Sequence, residues 1–184
     1  MKIFVGIDGG GTRTKCVCAD DKLKIISQVE TGATNPHSVG FNQSAERLFS
    51  LIKQARLKAN VSTIDSVVIG IAGGGRVEHS EKLVKKINVL AGSTKVLWKK
   101  LNILSDAEIA IEGAFSGRPG FILISGTGSI IFGKDKSGEI IRAGGFGKVI
   151  GDEGSGYSIG KKGLNAVARE FDGRGKKTLL TESL

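Results

Sequence analysis

The chain of 184 residues is poor in cysteine, histidine and aromatic residues. It has two cysteines and two histidines, and Phe, Trp and Tyr together make up 5%. Cys16 and Cys18 lie two apart in a predicted strand, where their side chains share a face but are not placed to form a disulfide with each other. His37 and His79 lie in different segments without metal-ligand spacing. We therefore expect reduced, buried thiols.

Long apolar runs are also absent. No run approaches the roughly 18 to 20 residues that span a bilayer, and the first residues lack the charged and apolar regions of a signal peptide. With 40% apolar residues, the chain has enough apolar side chains for a buried core. We expect a globular, cytoplasmic protein without a membrane-embedded part.

The formal net charge of +9 at pH 7 favours binding to anions, and nucleic acid is one such partner. The basic residues are spread over predicted helix faces and chain ends, as around Lys85 and Lys176. The few aromatic residues leave little for stacking on bases. We therefore expect no nucleic-acid partner.

Three consecutive glycines, Gly9 to Gly11, lie between two short apolar runs. Residues 2–7 have the length and β-branched content of a buried strand, and residues 14–19 alternate as a second strand. Glycine lets such a turn adopt positive φ or approach a ligand closely. A dinucleotide fingerprint would continue as a helix, and a P-loop would have Lys and Ser/Thr after its last glycine, so neither motif fits.

The remaining interpretation of this turn is a phosphate-holding hairpin. Successive backbone N–H groups form an anion-binding concavity, and the carboxylate of Asp8 at its mouth can hold Mg²⁺ through water. An ordinary glycine-rich hairpin without a ligand is the alternative on this stretch alone.

Strands then alternate with helices, which is typical of an α/β domain with a largely parallel sheet. The predicted strands are 23–30, 65–71 and one within 95–104, and the predicted helices are 42–59, 78–90 and 107–115. Asn42 or Ser44 is expected to cap the first of these helices. Pro36 keeps Asn35 in an extended loop that presents its amide.

The carboxyl ends of parallel strands form the binding edge of such a sheet. Asp8, Gly73 to Gly75 and Asp106 fall at these ends. A carboxylate within reach of an alcohol can orient the hydroxyl and take its proton during phosphoryl transfer, so Asp106 is the candidate general base. Asp106 also fits as the N-cap of the helix that begins at Ala107, a role compatible with the first.

The order of strand, Gly-Thr turn, strand, strand and helix recurs after residue 117. The predicted strands are 121–125, 130–133 and 139–143, with a turn at 126–129 and a helix from about residue 153. We interpret this as an internal duplication with domains at 1–117 and 118–184. The second unit stops soon after its first helix, with a frayed tail expected at 174–177, which would leave a sheet edge and an apolar face uncovered.

Two such turns on opposite sides of one cleft would suit the β- and γ-phosphates of a nucleotide. A third glycine-rich stretch, 143–156, contains Asp152 at the start of the predicted helix. Asp152 either caps that helix or accepts a ligand hydroxyl, and the residues alone leave both roles open.

Five motifs now occur in order along the chain. They are Asp8-Gly9-Gly10-Gly11-Thr12, Thr34-Asn35, Ser105-Asp106-Ala107, Ser125 to Ser129, and Gly144 to Gly147 with Gly151 to Ser155. Together they resemble the BadF/BadG/BcrA/BcrD ATPase family and, within it, the N-acetylglucosamine kinases of the sugar kinase, Hsp70 and actin superfamily. The resemblance runs from the first residues to about Gly160.

The resemblance implies an RNase H-like (actin-like ATPase) domain and the beginning of a second one, with ATP and Mg²⁺ in the cleft between them. Asp8 would serve the metal, and Asp106 would be the catalytic base. Phosphates would be held by Gly10, Gly11, Thr12, Gly126, Thr127 and Gly128, and the sugar by Asn35, Asp106, Gly145 and Asp152. The implied activity is transfer of the ATP γ-phosphoryl group to a hydroxyl of N-acetylglucosamine or a related hexose.

Two departures from the family leave alternatives open. Phe146 stands where the N-acetylglucosamine kinases usually have Trp, so the exact sugar is open. Family members are also longer, and the part beyond this sequence would complete the second domain and the adenosine pocket. We therefore also consider a truncated, inactive sugar-binding module, with a homodimer or a separately encoded C-terminal half as partner. A third reading, an ATPase activator of an acyl-CoA dehydratase or reductase, requires cluster cysteines where this sequence has none.

Overall fold

Two β-sheets organise the chain in a computed structural model that describes residues 1–71, 77–94 and 96–183. Gly73 to Gly75, predicted at the binding edge, lie outside the described residues. The chain divides into two compact units, 1–110 and 111–184. The boundary between the two units lies within the helix Asp106–Phe115. The sequence predicted this boundary at residue 117, two residues after the end of that helix.

The first unit contains a five-stranded sheet and most of the helices. Its elements are β1 Ile3–Gly9, β2 Arg13–Asp20, β3 Ile25–Gly32, α1 Pro36–Val39, α2 Phe41–Lys58, β4 Thr63–Ile71, α3 Val77–Gly92, β5 Leu97–Ser105 and the start of α4 Asp106–Phe115. The predicted strands and helices are all present with ends shifted by a few residues. Helix α1 was not predicted, although proline is common at the first position of a helix.

The register of the sheet brings three strand ends together. The strand order is β3-β2-β1-β4-β5, with β1, β4 and β5 parallel to one another. Asp8 pairs with Gly70, and Gly70 pairs with Leu104, so β1, β4 and β5 end at one edge. The predicted α/β architecture with a parallel sheet beyond the opening hairpin is confirmed.

The core of this unit lies between one face of the sheet and helices α2 and α3. Alternate residues of β1, such as Val5 and Ile7, are buried there together with Leu48 of α2 and Ile87 of α3. Alternation in a strand and helical spacing in α2 and α3 direct these side chains inward.

Cys16 and Cys18 belong to the same core. Both are free thiols without solvent exposure, which confirms the prediction of reduced, buried cysteines. Burial, with a smaller contribution from neighbouring Cys18, raises the pKa of Cys16 to about 12.

The predicted cap of α2 is wrong. Gly40 precedes this helix with φ of 80° and no side-chain cap, because α1 ends directly before it and the chain turns between the two helices. Asn42 instead accepts a hydrogen bond from the Nζ of Lys86, and the Oγ of Ser44 donates to the carbonyl of Thr34.

The second unit repeats the opening meander of the first. Its elements are β6 Gly120–Ser125, β7 Ser129–Lys134, β8 Ile140–Gly144, α5 Gly156–Phe171 and a 3-10 helix at Leu179–Ser183. The three strands pair antiparallel in chain order, as β1 to β3 do. Helix α5 begins later than the predicted residue 153.

The tail predicted to fray at 174–177 is packed against α5. The N–H of Arg174 donates to the carbonyl of Arg169 at 2.8 Å, and the N–H of Thr178 donates to the carboxylate of Glu170 at 2.8 Å. Gly173 has φ of 70°, which turns the chain back after the helix. The expectation of a frayed tail was therefore wrong.

One face of the second sheet carries exposed apolar side chains. Phe121, Leu123 and Ile141 share this face and are 70%, 69% and 58% exposed. The predicted uncovered apolar face is therefore present. Among residues 1–71, 77–94 and 96–183, the structure contains no helix with the length and apolarity needed to cross a membrane.

Gly70 of β4 has no space for a larger residue. A Cβ at this position would lie 2.1 Å from Cδ1 of Ile109 in α4, whereas a Cβ at Gly6 of β1 would lie 3.6 Å from its nearest neighbour. We expect Gly70→Ala to lower the free energy of unfolding by about 2 kcal/mol through overpacking, as measured by denaturant titration. Gly6→Ala is the matched control, and equal losses in both variants would contradict this packing.

The cysteines provide a second test of the core. Because both thiols are buried and the pKa of Cys16 is raised, few thiolates form at pH 8 and reagent does not reach them. We expect neither thiol to react with a disulfide reagent in the native protein and both to react in denaturant. Rapid labelling of the native protein would show that β2 is accessible.

Candidate functional site

Two carboxylates lie at the edge where β1, β4 and β5 end. Asp8 is the penultimate residue of β1 and is exposed, and Asp106 is the first residue of α4, directly after β5. Strand β4 lies between β1 and β5. The ends of β1 and β5 are therefore two strand spacings, about 10 Å, apart. The first unit thus brings the candidate metal residue and the candidate base to one edge.

The start of α4 leaves Asp106 available for chemistry. Ser105 and Glu108 form a reciprocal cap: the N–H of Glu108 donates to Ser105 Oγ at 3.1 Å, and the N–H of Ser105 donates to Glu108 Oε2 at 2.7 Å. This is a capping box, a pattern visible in the sequence as Ser-x-x-Glu. Asp106 is therefore not the cap. Its exposed carboxylate accepts only the adjacent N–H of Ala107 among the hydrogen bonds found in the described residues.

The first glycine turn is closed by its own backbone. The N–H of Gly10 donates to the carbonyl of Arg13 at 3.1 Å, so this amide is engaged within the turn. Gly11 and Thr12 form the exposed tip. A Cβ on Gly9 would lie 2.8 Å from Thr34 Oγ1, so glycine is needed there for close approach of the next segment.

That next segment carries Asn35. Asn35 has extended backbone angles, as predicted, and its Oδ1 caps α1 by accepting the N–H of His37 at 2.9 Å. The N–H of Thr34 donates to the carbonyl of Gly10 at 3.2 Å. The structure therefore joins the Asn35 loop to the first glycine turn.

A similar connection occurs in the second unit. The N–H of Gly126 donates to the carbonyl of Gly128 at 2.8 Å, and the carbonyl of Gly126 accepts the N–H of Gly156 at 2.8 Å. The Oγ of Ser129 donates to the carbonyl of Glu153 at 2.7 Å. The second turn, with Thr127 at its exposed tip, is thus held against the segment that leads into α5.

Asp152 lies in this segment and is buried. It does not cap α5: Ser155 is the cap and accepts the N–H of Ser158 at 3.1 Å. A Cβ on Gly128 would lie 2.9 Å from Asp152 Oδ2, so the carboxylate faces the glycine turn. Of the two roles left open by the sequence, helix capping is wrong.

Gly145 is held by both backbone and packing. Its φ is 71°, and a Cβ there would lie 2.5 Å from Cδ1 of Ile130. The neighbouring Phe146 is 63% exposed, with the Arg142 guanidinium 5.5 Å from its ring centre. Glycine at 145 therefore allows the β8 end to pack on β7.

The donors for a metal are few. Within residues 1–71, 77–94 and 96–183, no group of three or more His, Cys, Asp or Glu side chains is placed to hold a metal ion. A single exposed carboxylate such as Asp8 suits Mg²⁺ that keeps most of its water and binds substrate phosphates.

Comparison with known proteins agrees with this architecture. The chain is 38% identical over 182 residues to the N-acetylmuramic acid/N-acetylglucosamine kinase of Clostridium acetobutylicum, covering 98% of this chain and 58% of that protein. It is 34% identical to the N-acetyl-D-glucosamine kinase of Dictyostelium discoideum, covering 100% of this chain and 59% of that protein. The chain therefore spans about three-fifths of the length of these relatives.

A solved structure gives the same result for the fold. The crystal structure of a putative N-acetylglucosamine kinase from Chromobacterium violaceum matches with a TM-score of 0.67 and 26% identity, covering 100% of this chain and 62% of that chain. The fold is the actin-like ATPase fold of the sugar kinases. The sequence also matches the BadF/BadG/BcrA/BcrD ATPase family over residues 5–182. With that match covering nearly all of its length, the chain belongs to the BadF/BadG/BcrA/BcrD ATPase family.

Proposed function

We propose that the chain carries the sugar-binding and phosphate-binding residues of an ATP-dependent kinase that phosphorylates N-acetylglucosamine or a related hexose. The observation that carries this proposal is the exposed carboxylate of Asp106, which the Ser105–Glu108 cap leaves available at the end of β5. The two curated relatives are named as kinases of amino sugars, which supports the same reaction class.

Asp106 acts on the acceptor in this proposal. The sugar hydroxyl oxygen forms a bond to the γ-phosphorus while the bond from that phosphorus to the β-phosphate oxygen breaks, and ADP leaves. The hydroxyl proton passes to the Asp106 carboxylate, which also orients the hydroxyl. Asn35, Gly145 and Asp152 bind the sugar.

The glycine turns hold the phosphates. Gly10, Gly11 and Thr12 belong to the first turn, and Gly126, Thr127 and Gly128 belong to the second. Because the N–H groups of Gly10 and Gly126 are engaged within their turns, the exposed tips, rather than these two amides, donate to phosphate oxygens. Asp8 would hold Mg²⁺, which would supply positive charge beside the phosphates.

The exposed apolar face of the second unit favours a second candidate. With Phe121, Leu123 and Ile141 exposed, further polypeptide is needed to bury them, either a second copy or a C-terminal half encoded with or apart from this chain. Without it, the chain would act as a sugar-binding module that does not transfer phosphate. We propose residues 1–117 and 118–184 as the two domains, working in the cytoplasm on sugar and ATP.

Asp106→Asn tests the proposed base. Because the amide does not accept the hydroxyl proton, we expect sugar-dependent transfer from radiolabelled ATP to fall at least about 100-fold. Sugar affinity measured by calorimetry should change little, since the amide still hydrogen-bonds the hydroxyl. Asp172→Asn, an exposed carboxylate paired with Arg174, is the matched control. Undiminished transfer in Asp106→Asn would contradict the assignment, and sugar binding without transfer in the wild type would favour the module.

Gly128→Ala tests the sugar role of Asp152. The added Cβ would lie 2.9 Å from Asp152 Oδ2, whereas a Cβ at Gly126 has nothing within 4 Å. We expect Gly128→Ala to displace the carboxylate and to weaken N-acetylglucosamine binding about tenfold in calorimetry, the effect of one lost charged hydrogen bond. Gly126→Ala should bind the sugar as the wild type does. Equal affinities in both variants would argue against Asp152 as a sugar ligand.

A further inference from the structure

Thr34 lies between two parts of the proposed site and is completely buried. It directly precedes Asn35, on the sugar side, and it packs against the first glycine turn, on the phosphate side. Because buried polar groups need hydrogen-bond partners, the partners of Thr34 show which elements hold this residue in place.

Every polar group of Thr34 has such a partner. Its N–H donates to the carbonyl of Gly10 at 3.2 Å, and its carbonyl accepts the Oγ of Ser44 at 2.6 Å. Its Oγ1 lies 2.8 Å from Oγ1 of Thr14, which is also buried, so the two hydroxyls share a hydrogen bond. Three elements, namely β2, the glycine turn and α2, thus hold one residue.

The packing is as tight as the hydrogen bonding. A Cβ on Gly9 would lie 2.8 Å from Thr34 Oγ1, so the turn and Thr34 are in direct contact. Breaking one of these hydrogen bonds would leave a buried polar group unpaired, which is unfavourable because that group has also lost its contact with water. A displacement of the turn therefore carries Thr34, and the adjacent Asn35, with it.

We propose that Thr34 is a positioning residue that couples the phosphate turn to the Asn35 loop, so that phosphate binding strengthens sugar binding. This inference rests on the proposed function, because it assigns ATP phosphates to the turn and the sugar to Asn35. A phosphate held at Gly11 and Thr12 orders the turn, and through Thr34 the Asn35 loop is ordered before the sugar arrives. By linkage, the sugar strengthens phosphate binding by the same factor.

The test compares N-acetylglucosamine affinity with and without a saturating non-hydrolysable ATP analogue and Mg²⁺. It is measured by calorimetry on the 184-residue chain together with any C-terminal part that completes its second domain. In the wild type we expect the analogue to tighten sugar binding about fivefold or more. Thr34→Val keeps the shape but removes the hydroxyl that holds Thr34 to Thr14 and against Gly9, leaving the backbone bond to Gly10 to join Thr34 to the turn. The coupling factor should therefore fall at least twofold, and Thr34→Ser should restore it. Thr14→Val removes the same hydrogen bond from the other side and should also lower the factor.

Ser27→Ala is the matched control. Ser27 is buried in β3, and its Oγ donates to the carbonyl of Ala55 at 2.7 Å, away from the turn. In Ser27→Ala the ATP analogue should tighten sugar binding by the same factor as in the wild type, even if the variant is less stable. Loss of stability alone would then not explain a lower coupling factor in Thr34→Val.

Hydrogen exchange provides a second measurement. Adding the analogue alone should slow amide exchange in peptides that cover residues 31–40 more in the wild type and Thr34→Ser than in Thr34→Val. An unchanged coupling factor in folded Thr34→Val and Thr14→Val, or a wild type that binds both ligands independently, overturns the inference and leaves the kinase proposal in place. A wild type that binds neither ligand overturns both.

Discussion

The alignment of β1 between β2 and β4 is the constraint on which the rest of the first unit depends. Hydrogen bonds on both sides fix its register, with Asp8 opposite Lys15 on one side and Gly70 on the other. A slip by one residue would turn Val5 and Ile7 out of the core and move Asp8 to the other face of the sheet. The burial of alternate β1 side chains therefore also determines where the carboxylate at the binding edge points.

The sequence was sufficient for the strands and the long helices, but not for the four-residue helix α1. Period-2 and period-3.6 patterns of apolar residues follow burial, and a helix of one turn is too short to show such a pattern. It was insufficient for helix starts and the tail. Ser44 has the right chemistry for a cap, but a tertiary contact with the Thr34 carbonyl uses its hydroxyl. Asp8 and Asp106 were recognisable from motifs and lie at the predicted strand ends. The hydrogen bond from Thr34 to Gly10 joins residues 24 positions apart, and no local pattern predicts it.

The glycine turns of the two units are supported by the same kinds of contact. In each, a glycine carbonyl of the turn accepts an N–H from the segment that carries a candidate sugar residue: Thr34 donates to Gly10, and Gly156 donates to Gly126. In each, a missing Cβ also lets a polar side chain approach, Thr34 at Gly9 and Asp152 at Gly128. The duplication visible in the sequence therefore extends to how each turn is supported.

The left-handed backbone of Asp152, with φ of 60°, limits the residues that this position can accept. Glycine, asparagine and aspartate adopt this conformation at low cost, whereas longer and branched side chains do not. Of these three, only aspartate supplies a negative charge beside Gly128. Replacement by glutamate would keep the charge but strain the main chain and push the carboxylate outward by one methylene. Backbone geometry and side-chain chemistry thus select the same amino acid here, for two independent reasons.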